Sequence, residues 1–317
     1  MLMNSKVLRR RGLMGGIGAA LAAPTMRTAR AATSIKLGFT ATLGFNGAFI
    51  AKDRGLFAKH GLDVELQLIG LNSNIPGAMM GGSIQVGGPT PTVLLQANDG
   101  GLDLLVVCGC AAVDPDNRFD GLLVRKGAGI ARAADCVGKK IGVPGLNAYH
   151  HVIIRKWLTD NGVDWRQVNF IEVQFTQSAD ILRSGSVDAV ATGEPFSTRI
   201  ASEGIGTLLV RPTDIVRNGT PTLFYAATRD WALANGPAIK AFKAAIAEAS
   251  QFQASDPDGA RGSAGKFIKL PPEVMKTLTL PVLQPEVSQA QVGFWIDEMA
   301  KQGMIQDKPN PAKLIAP

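Results

Sequence analysis

Two rhythms of apolar and polar positions alternate along the chain. Short apolar runs at Ile35–Phe39, Val64–Ile69, Ile84–Gly87 and Leu104–Val107 have the length of strands. Between them lie longer mixed stretches, Ala48–Lys59 among them, that read as helices. Strand and helix alternating in this way predict an α/β fold with largely parallel sheets.

The order of elements then repeats. Ile35–Phe39 leads through a Gly/Asn/Thr loop into a helix that stops at Lys59-His60-Gly61-Leu62-Asp63. In the second half, Lys140–Val143 leads through Pro144-Gly145-Leu146-Asn147 into a helix that stops at Asp160-Asn161-Gly162-Val163-Asp164. Glycine suits the position just past a helix end, where the backbone turns left-handed. A second stop, Gly81-Gly82-Ser83-Ile84-Gln85-Val86, has its counterpart in Ser184-Gly185-Ser186-Val187-Asp188-Ala189. Pro91 and Pro195 then stand where the following helices open. The stops are 21 residues apart in the first half (Gly61 to Gly82) and 23 in the second (Gly162 to Gly185). Four matches in one order predict two similar Rossmann-like lobes, 32–118 and 119–228. Helices in 229–317 follow, returning at least in part to the first lobe.

Open α/β sheets bind ligands beyond the carboxyl ends of their strands, where helix N-termini point. Two such lobes make a cleft lined by six loops: 40–47, 70–74 and 88–92 from the first, 144–150, 175–178 and 191–195 from the second. Candidate ligand contacts in the first lobe are Thr40, Thr42, Phe45, Asn46, Asn72, Ser73, Pro89 and Thr90. In the second they are Gly145, Asn147, Tyr149, His150, Thr192 and Glu194. Thr90 and Asn147 suit helix caps. Phe45 offers an apolar contact or plain core, and Asn46 offers hydrogen bonds. Tyr149 or His150 covers the ligand or packs on one side. Glu194, the one acid expected in a cleft loop, pairs with a ligand amine or with a cation such as Arg199.

The N-terminus reads as a targeting segment. Arg9-Arg10-Arg11 precede an apolar stretch from Leu13 to Ala23, and Ala29-Arg30-Ala31 offers a cleavage site. Arg10-Arg11-Gly12-Leu13-Met14 fits the twin-arginine export pattern. The apolar stretch is roughly half the ~20 residues that a spanning helix needs. The expectation is therefore a periplasmic protein starting near Ala32. This segment also carries the charge. Of 33 Lys and Arg, six lie in residues 1–31, which leaves 27 against 26 Asp and Glu. A body so near neutrality excludes the basic surface that nucleic acid requires.

Catalytic chemistry has no signature. The three histidines, His60, His150 and His151, and the three cysteines, Cys108, Cys110 and Cys136, form no metal-ligand spacing. Cys108 and Cys110, two apart on an apolar strand, read as buried thiols rather than a disulfide framework. There is no H-E-x-x-H, G-x-S-x-G or P-loop. Neither cofactor nor metal is expected.

Three segments resemble a known family. Gly47-Ala48-Phe49-Ile50-Ala51-Lys52-Asp53-Arg54-Gly55-Leu56-Phe57 through Gly61-Leu62-Asp63-Val64-Glu65-Leu66 is similar to the N-terminal signature of nitrate/sulfonate/taurine-type solute-binding proteins. Gly138-Lys139-Lys140-Ile141-Gly142-Val143-Pro144 resembles that family's second-lobe segment, and Asp188-Ala189 with Glu194-Pro195 its acidic-proline segment. The resemblance implies a periplasmic binding fold hinged at two crossings, placed near Asp116–Gly121 and Pro221–Asp230. It implies a monomer that delivers a small solute to the permease subunits of an ABC importer. Helix N-termini favour an anionic or zwitterionic solute. Gly193 stands where the family often has an aromatic residue, so the ligand is not inherited with the fold. The alternative is an enzyme on the same two-lobed fold, of the menaquinone- or thiamine-pathway kind. The thiamine-pathway relatives use a cysteine-rich motif that is missing here.

Overall fold

The computed structural model describes residues 32–113, 120–269 and 272–317. The expected export signal, and most of the first expected crossing, lie outside the described residues.

The strands are β1 (Thr33–Phe39), β2 (Leu62–Leu68), β3 (Val86–Gly87), β4 (Leu104–Ala112), β5 (Asp120–Arg125), β6 (Lys140–Val143), β7 (Asn169–Glu172), β8 (Ala189–Gly193), β9 (Gly206–Val210), β10 (Pro221–Thr228) and β11 (Val282–Leu283). The helices α1 (Asn46–Asp53), α2 (Leu56–Lys59), α3 (Ile75–Met80) and α4 (Pro91–Asp99) belong to the first half. The second half supplies α5 (Tyr149–Asp160), α6 (Ser178–Arg183) and α7 (Phe196–Ser202). The C-terminal region holds α8 (Arg229–Ala234), α9 (Gly236–Ser255), α10 (Pro257–Ala264), α11 (Pro272–Thr277) and α12 (Gln289–Lys301).

The strands form two sheets, ordered β11-β4-β10-β3-β1-β2 and β7-β6-β8-β5-β9. In each sheet a first strand pairs in parallel with the next two, β1 with β2 and β3, and β6 with β7 and β8. Each third strand then meets an antiparallel neighbour, β3 meeting β10 and β8 meeting β5. The repeat read along the chain is therefore a repeat of sheet topology. The paired helix stops share a backbone state as well: φ is 77° at Gly61 and 75° at Gly162, and 70° at Gly82 and 77° at Gly185.

Two boundaries differ from the expectation. Ala48–Lys59 is not one helix; it breaks at Arg54-Gly55, where Gly55 turns left-handed at φ 69°. Pro221–Asp230 is not a crossing. Pro221–Thr228 is β10, lying between β3 and β4 in the first sheet, with seven of its eight residues buried. A strand buried on both faces has no alternation to mark which sheet receives it, and the expected second-half bound at 228 therefore falls past it. The chain has thus left the second sheet before Pro221.

The helices that follow cover the first sheet. Phe242 of α9 stacks on Phe57 of α2 at 5.4 Å, and β11 extends the sheet beside β4. In α12, Trp295 is fully buried; its indole N–H donates to the Pro221 carbonyl at 2.9 Å, and its ring meets Tyr149 edge-on at 5.8 Å. One helix thereby packs on elements of both halves. Among the described residues, no helix is long and apolar enough to cross a membrane.

Candidate functional site

The loops at the carboxyl ends of β1, β2, β3, β6 and β7 converge with the start of β5 and β10 on a partly enclosed cavity of about 20 Å³. That is room for about one or two water-sized groups. The first sheet contributes Thr40, Thr42, Asn72, Thr90, Thr222 and Leu223 to its wall; the second contributes Asp120, Pro144, Ala148, Tyr149, His150 and Phe175.

Thr90 sits at the junction. Its hydroxyl caps α4 by accepting the Val93 N–H at 3.3 Å, as a threonine before a proline-led helix should. The same oxygen accepts the Tyr149 N–H, at 3.3 Å, from the first turn of α5 across the cleft. Asn72 braces this arrangement. Its side chain accepts the Thr90 N–H at 2.9 Å and donates to the Gly88 carbonyl at 3.0 Å, while its own N–H donates to the Pro144 carbonyl at 3.2 Å. A further crossing bond runs from the Leu43 N–H to the Glu194 carbonyl at 3.1 Å.

Polar chemistry in the wall centres on Asp120 and His150. Both are at least nine-tenths buried, and His150 Nε2 is in hydrogen-bond contact with Asp120 Oδ1. Phe175 meets the His150 ring edge-on at 5.7 Å, and Tyr149 meets it at 5.1 Å. The Tyr149 hydroxyl and the Thr40 hydroxyl are buried without a hydrogen-bond partner. Burial, reinforced by the nearby Asp120 charge, raises the Tyr149 pKa well above its ordinary value, so the phenol keeps its proton as a donor.

Six of the fourteen expected contacts line this cavity: Thr40, Thr42, Asn72, Thr90, Tyr149 and His150. The other eight stand elsewhere. Phe45 is fully buried in the first lobe, edge-on to Phe39 and Tyr225 at 6.1 and 6.2 Å. Asn46 begins α1 and donates to Gln253 Oε1 at 2.7 Å. Ser73 donates to Glu172 Oε1 at 2.8 Å, outside the cavity. The Pro89 carbonyl is taken by the Phe224 N–H at 3.0 Å. A Cβ on Gly145 would lie 3.2 Å from the Ser73 nitrogen, so this glycine serves close approach of the two lobes. The Thr192 hydroxyl reaches Ser178 Oγ at 3.5 Å.

Asn147 is not a cap. The N-cap of α5 is Ala148, and Asn147 occupies the left-handed region at φ 61°, which asparagine tolerates better than most residues. Its N–H donates to His151 Nδ1 at 2.8 Å. Burial pushes the His151 pKa down to about 3, so this ring is a neutral acceptor. Glu194 does not pair with Arg199, which binds Glu203 and Asp180 instead. The Glu194 carboxylate receives the Thr198 N–H at 3.1 Å and the Thr198 hydroxyl, satisfying the start of α7. Burial raises its pKa.

Asp120, Thr222 and Leu223 lie outside all six expected loops. Asp120 begins β5, and Thr222 and Leu223 lie near the start of β10; each strand is the first that the chain adds after changing sheets. An acid opening the apolar run Gly121-Leu122-Leu123-Val124 was the available signal for Asp120. All three cysteines are free and buried, and burial raises Cys110 to about 12 and Cys136 to about 11. They are poor nucleophiles in this state. No cluster of metal-ligating side chains occurs among the described residues.

Known proteins are similar to this chain in sequence and architecture. The profile of the NMT1/THI5-like family matches residues 43–260, more than half of the chain. The bicarbonate transport ATP-binding protein CmpC of Synechocystis is 25% identical over 241 residues, 71% of this chain and 36% of that protein. The bicarbonate-binding protein CmpA of Synechococcus elongatus is 24% identical over 280 residues, 80% of this chain and 61% of that one. The chain thus spans between about a third and three fifths of the length of these two relatives. A putative binding protein of Brucella abortus is 24% identical over 275 residues, with 84% and 83% covered. Among solved structures, the alkanesulfonate-binding protein SsuA of Xanthomonas axonopodis bound to MOPS superposes with a TM-score of 0.74 at 21% identity, covering 89% of this chain and 98% of that one. The nitrate-binding protein NrtA of Synechocystis does so with a TM-score of 0.75 at 18% identity, covering 88% and 84%. The fold is accordingly that of the periplasmic binding proteins, and by its sequence the chain belongs to the NMT1/THI5-like family.

Proposed function

We propose that this protein is the solute-binding component of an ABC importer, closing on a small molecule held between its two lobes. The observation that carries the reading is the cavity itself. Strand ends of both sheets meet there, and hydrogen bonds such as Tyr149 to Thr90 and Asn72 to Pro144 join the two sides. A cleft that buries its ligand between two lobes converts binding into closure, the signal a membrane partner can read. The names of the relatives, bicarbonate-binding, nitrate-binding and alkanesulfonate-binding, support capture rather than turnover.

The reading extends to export through the twin-arginine route, cleavage near Ala31, a monomeric mature protein and permease subunits as partners. Six residues form the core of the proposed ligand site: Thr40, Asn72, Thr90, Asp120, Tyr149 and His150. Mass spectrometry of solute recovered from the native protein, together with a thermal-shift screen, tests the proposal. A ligand at a hundred times its Kd adds about 2.7 kcal/mol of stability. Product formation from the recovered solute would instead establish an enzyme.

A further inference from the structure

The cavity wall is held from behind by a residue that does not line it. Trp295, in α12, is fully buried. Its indole N–H donates to the Pro221 carbonyl at 2.9 Å, and its ring meets Tyr149 edge-on at 5.8 Å. Tyr149 lines the cavity, and so do Thr222 and Leu223, one and two residues past Pro221. One side chain therefore touches two wall segments, the start of α5 and the start of β10.

Neither segment is fixed by its own element alone. β10 pairs with β4, but the register shifts between Pro221 and Leu223 and again between Leu223 and Phe224. A ladder interrupted in this way re-aims its side chains and leaves their direction to neighbouring contacts. Tyr149 opens α5, where its N–H is held by Thr90 Oγ1, but its buried hydroxyl has no hydrogen-bond partner. The ring is placed by the two rings that meet it edge-on, His150 at 5.1 Å and Trp295. The rest of α12 repeats the same tie. Gln291, one turn before Trp295 and on the same face, donates to the Gly219 carbonyl at 2.8 Å. Gln302, at the end of the helix, donates to the Val152 carbonyl at 3.1 Å and accepts from Arg155 Nη2 at 3.4 Å. The helix thus holds the chain entering β10 at one end and α5 at the other.

A buried hydroxyl without a partner costs free energy, and a solute atom that completes it recovers that cost only if the ring stands in the right place. Resting on the solute-binding reading, we propose that Trp295 is a positioning residue of the solute site. It sets Tyr149 against the start of β10, so that the Tyr149 hydroxyl and the Thr222–Leu223 wall meet the solute together.

The test is a double-mutant cycle of Trp295→Phe and Tyr149→Phe, read by calorimetric titration of protein freed of co-purified solute. The probes are bicarbonate, nitrate and methanesulfonate, with the solute recovered from the native protein by mass spectrometry as the fourth. Each single variant is expected to weaken the probe that binds by about tenfold, the worth of one buried hydrogen bond. In the Tyr149→Phe background, where no hydroxyl is left to place, Trp295→Phe should cost less than about threefold more. A merely structural loss would instead multiply. Multiplying losses, or wild-type affinity in either single variant, overturn the inference and leave solute binding standing. Should Trp295→Phe not fold, replacing Trp157, Trp165 and Trp231 with phenylalanine leaves Trp295 as the sole tryptophan of the four. Its emission should then change saturably with the probe that binds, and emission that stays unchanged overturns the inference. No binding by any probe and no recovered solute overturn the solute-binding reading and this inference with it.

Discussion

The hydroxyl of Thr90 accepts one N–H from its own helix, that of Val93, and one from across the cleft, that of Tyr149, each at 3.3 Å. A single oxygen therefore joins the starts of α4 and α5. Thr90→Val keeps the shape and removes both bonds, together with the one shared with the buried Thr92 hydroxyl at 3.0 Å. Loss of the cap costs about 1 kcal/mol, or a fall in Tm of about 2 °C for a chain of this size. The expected finding is that fall together with weaker ligand-dependent stabilisation, read by calorimetry with and without solute.

Glu172 Oε1 accepts from Ser73 Oγ and from the Leu146 N–H, both at 2.8 Å, so one exposed carboxylate spans the mouth of the cleft. Solvent-exposed bonds of this kind contribute little to global stability. Glu172→Ala should therefore change unfolding free energy by less than about 1 kcal/mol. Its expected effect is on closure: small-angle scattering without ligand should give a larger radius of gyration than for the wild type. Identical scattering would show that the latch has no bearing on closure.

His151 makes stability depend on pH. Its folded pKa lies at about 3, below the ordinary 6.5, because burial disfavours the charged ring and Arg155 repels it. Between these values the unfolded chain binds the proton more readily than the folded one. The stability is present above about pH 6.5 and is lost as pH falls toward 3. The slope attributable to this ring has an upper bound of about 1.4 kcal/mol per pH unit. Urea unfolding at pH 7, 5.5 and 4.5 should show the slope in the wild type and a shallower one in His151→Gln.

Gly88 lies where a side chain has no room. A Cβ there would stand 1.9 Å from a ring carbon of Phe45. Phe45 is fully buried between Phe39 and Tyr225 and has nowhere to retreat. Gly88→Ala should destabilise the first lobe by about 1–3 kcal/mol, the usual range for overpacking. Circular-dichroism melting checks it, and an unchanged Tm would show that the loop yields instead.

Local pattern determined a good part of this protein. Strand length, the glycines that end helices and the prolines that open them act over a few residues. The parallel cores of both sheets, the paired stops at Gly61/Gly162 and Gly82/Gly185, and Thr90 as a cap were legible for that reason. Loop composition also marked Thr40, Thr42, Asn72, Tyr149 and His150 for the cavity. Only the tertiary structure decided which sheet receives β10, because a strand buried on both faces carries no mark of its partner. That placement brings Thr222 and Leu223 to the site. The packing of α5 likewise set Asp120 against His150, thirty residues on, and brought the Asn147 N–H onto His151. Contacts between residues distant in sequence depend on how two lobes meet, and composition along either one cannot encode that meeting.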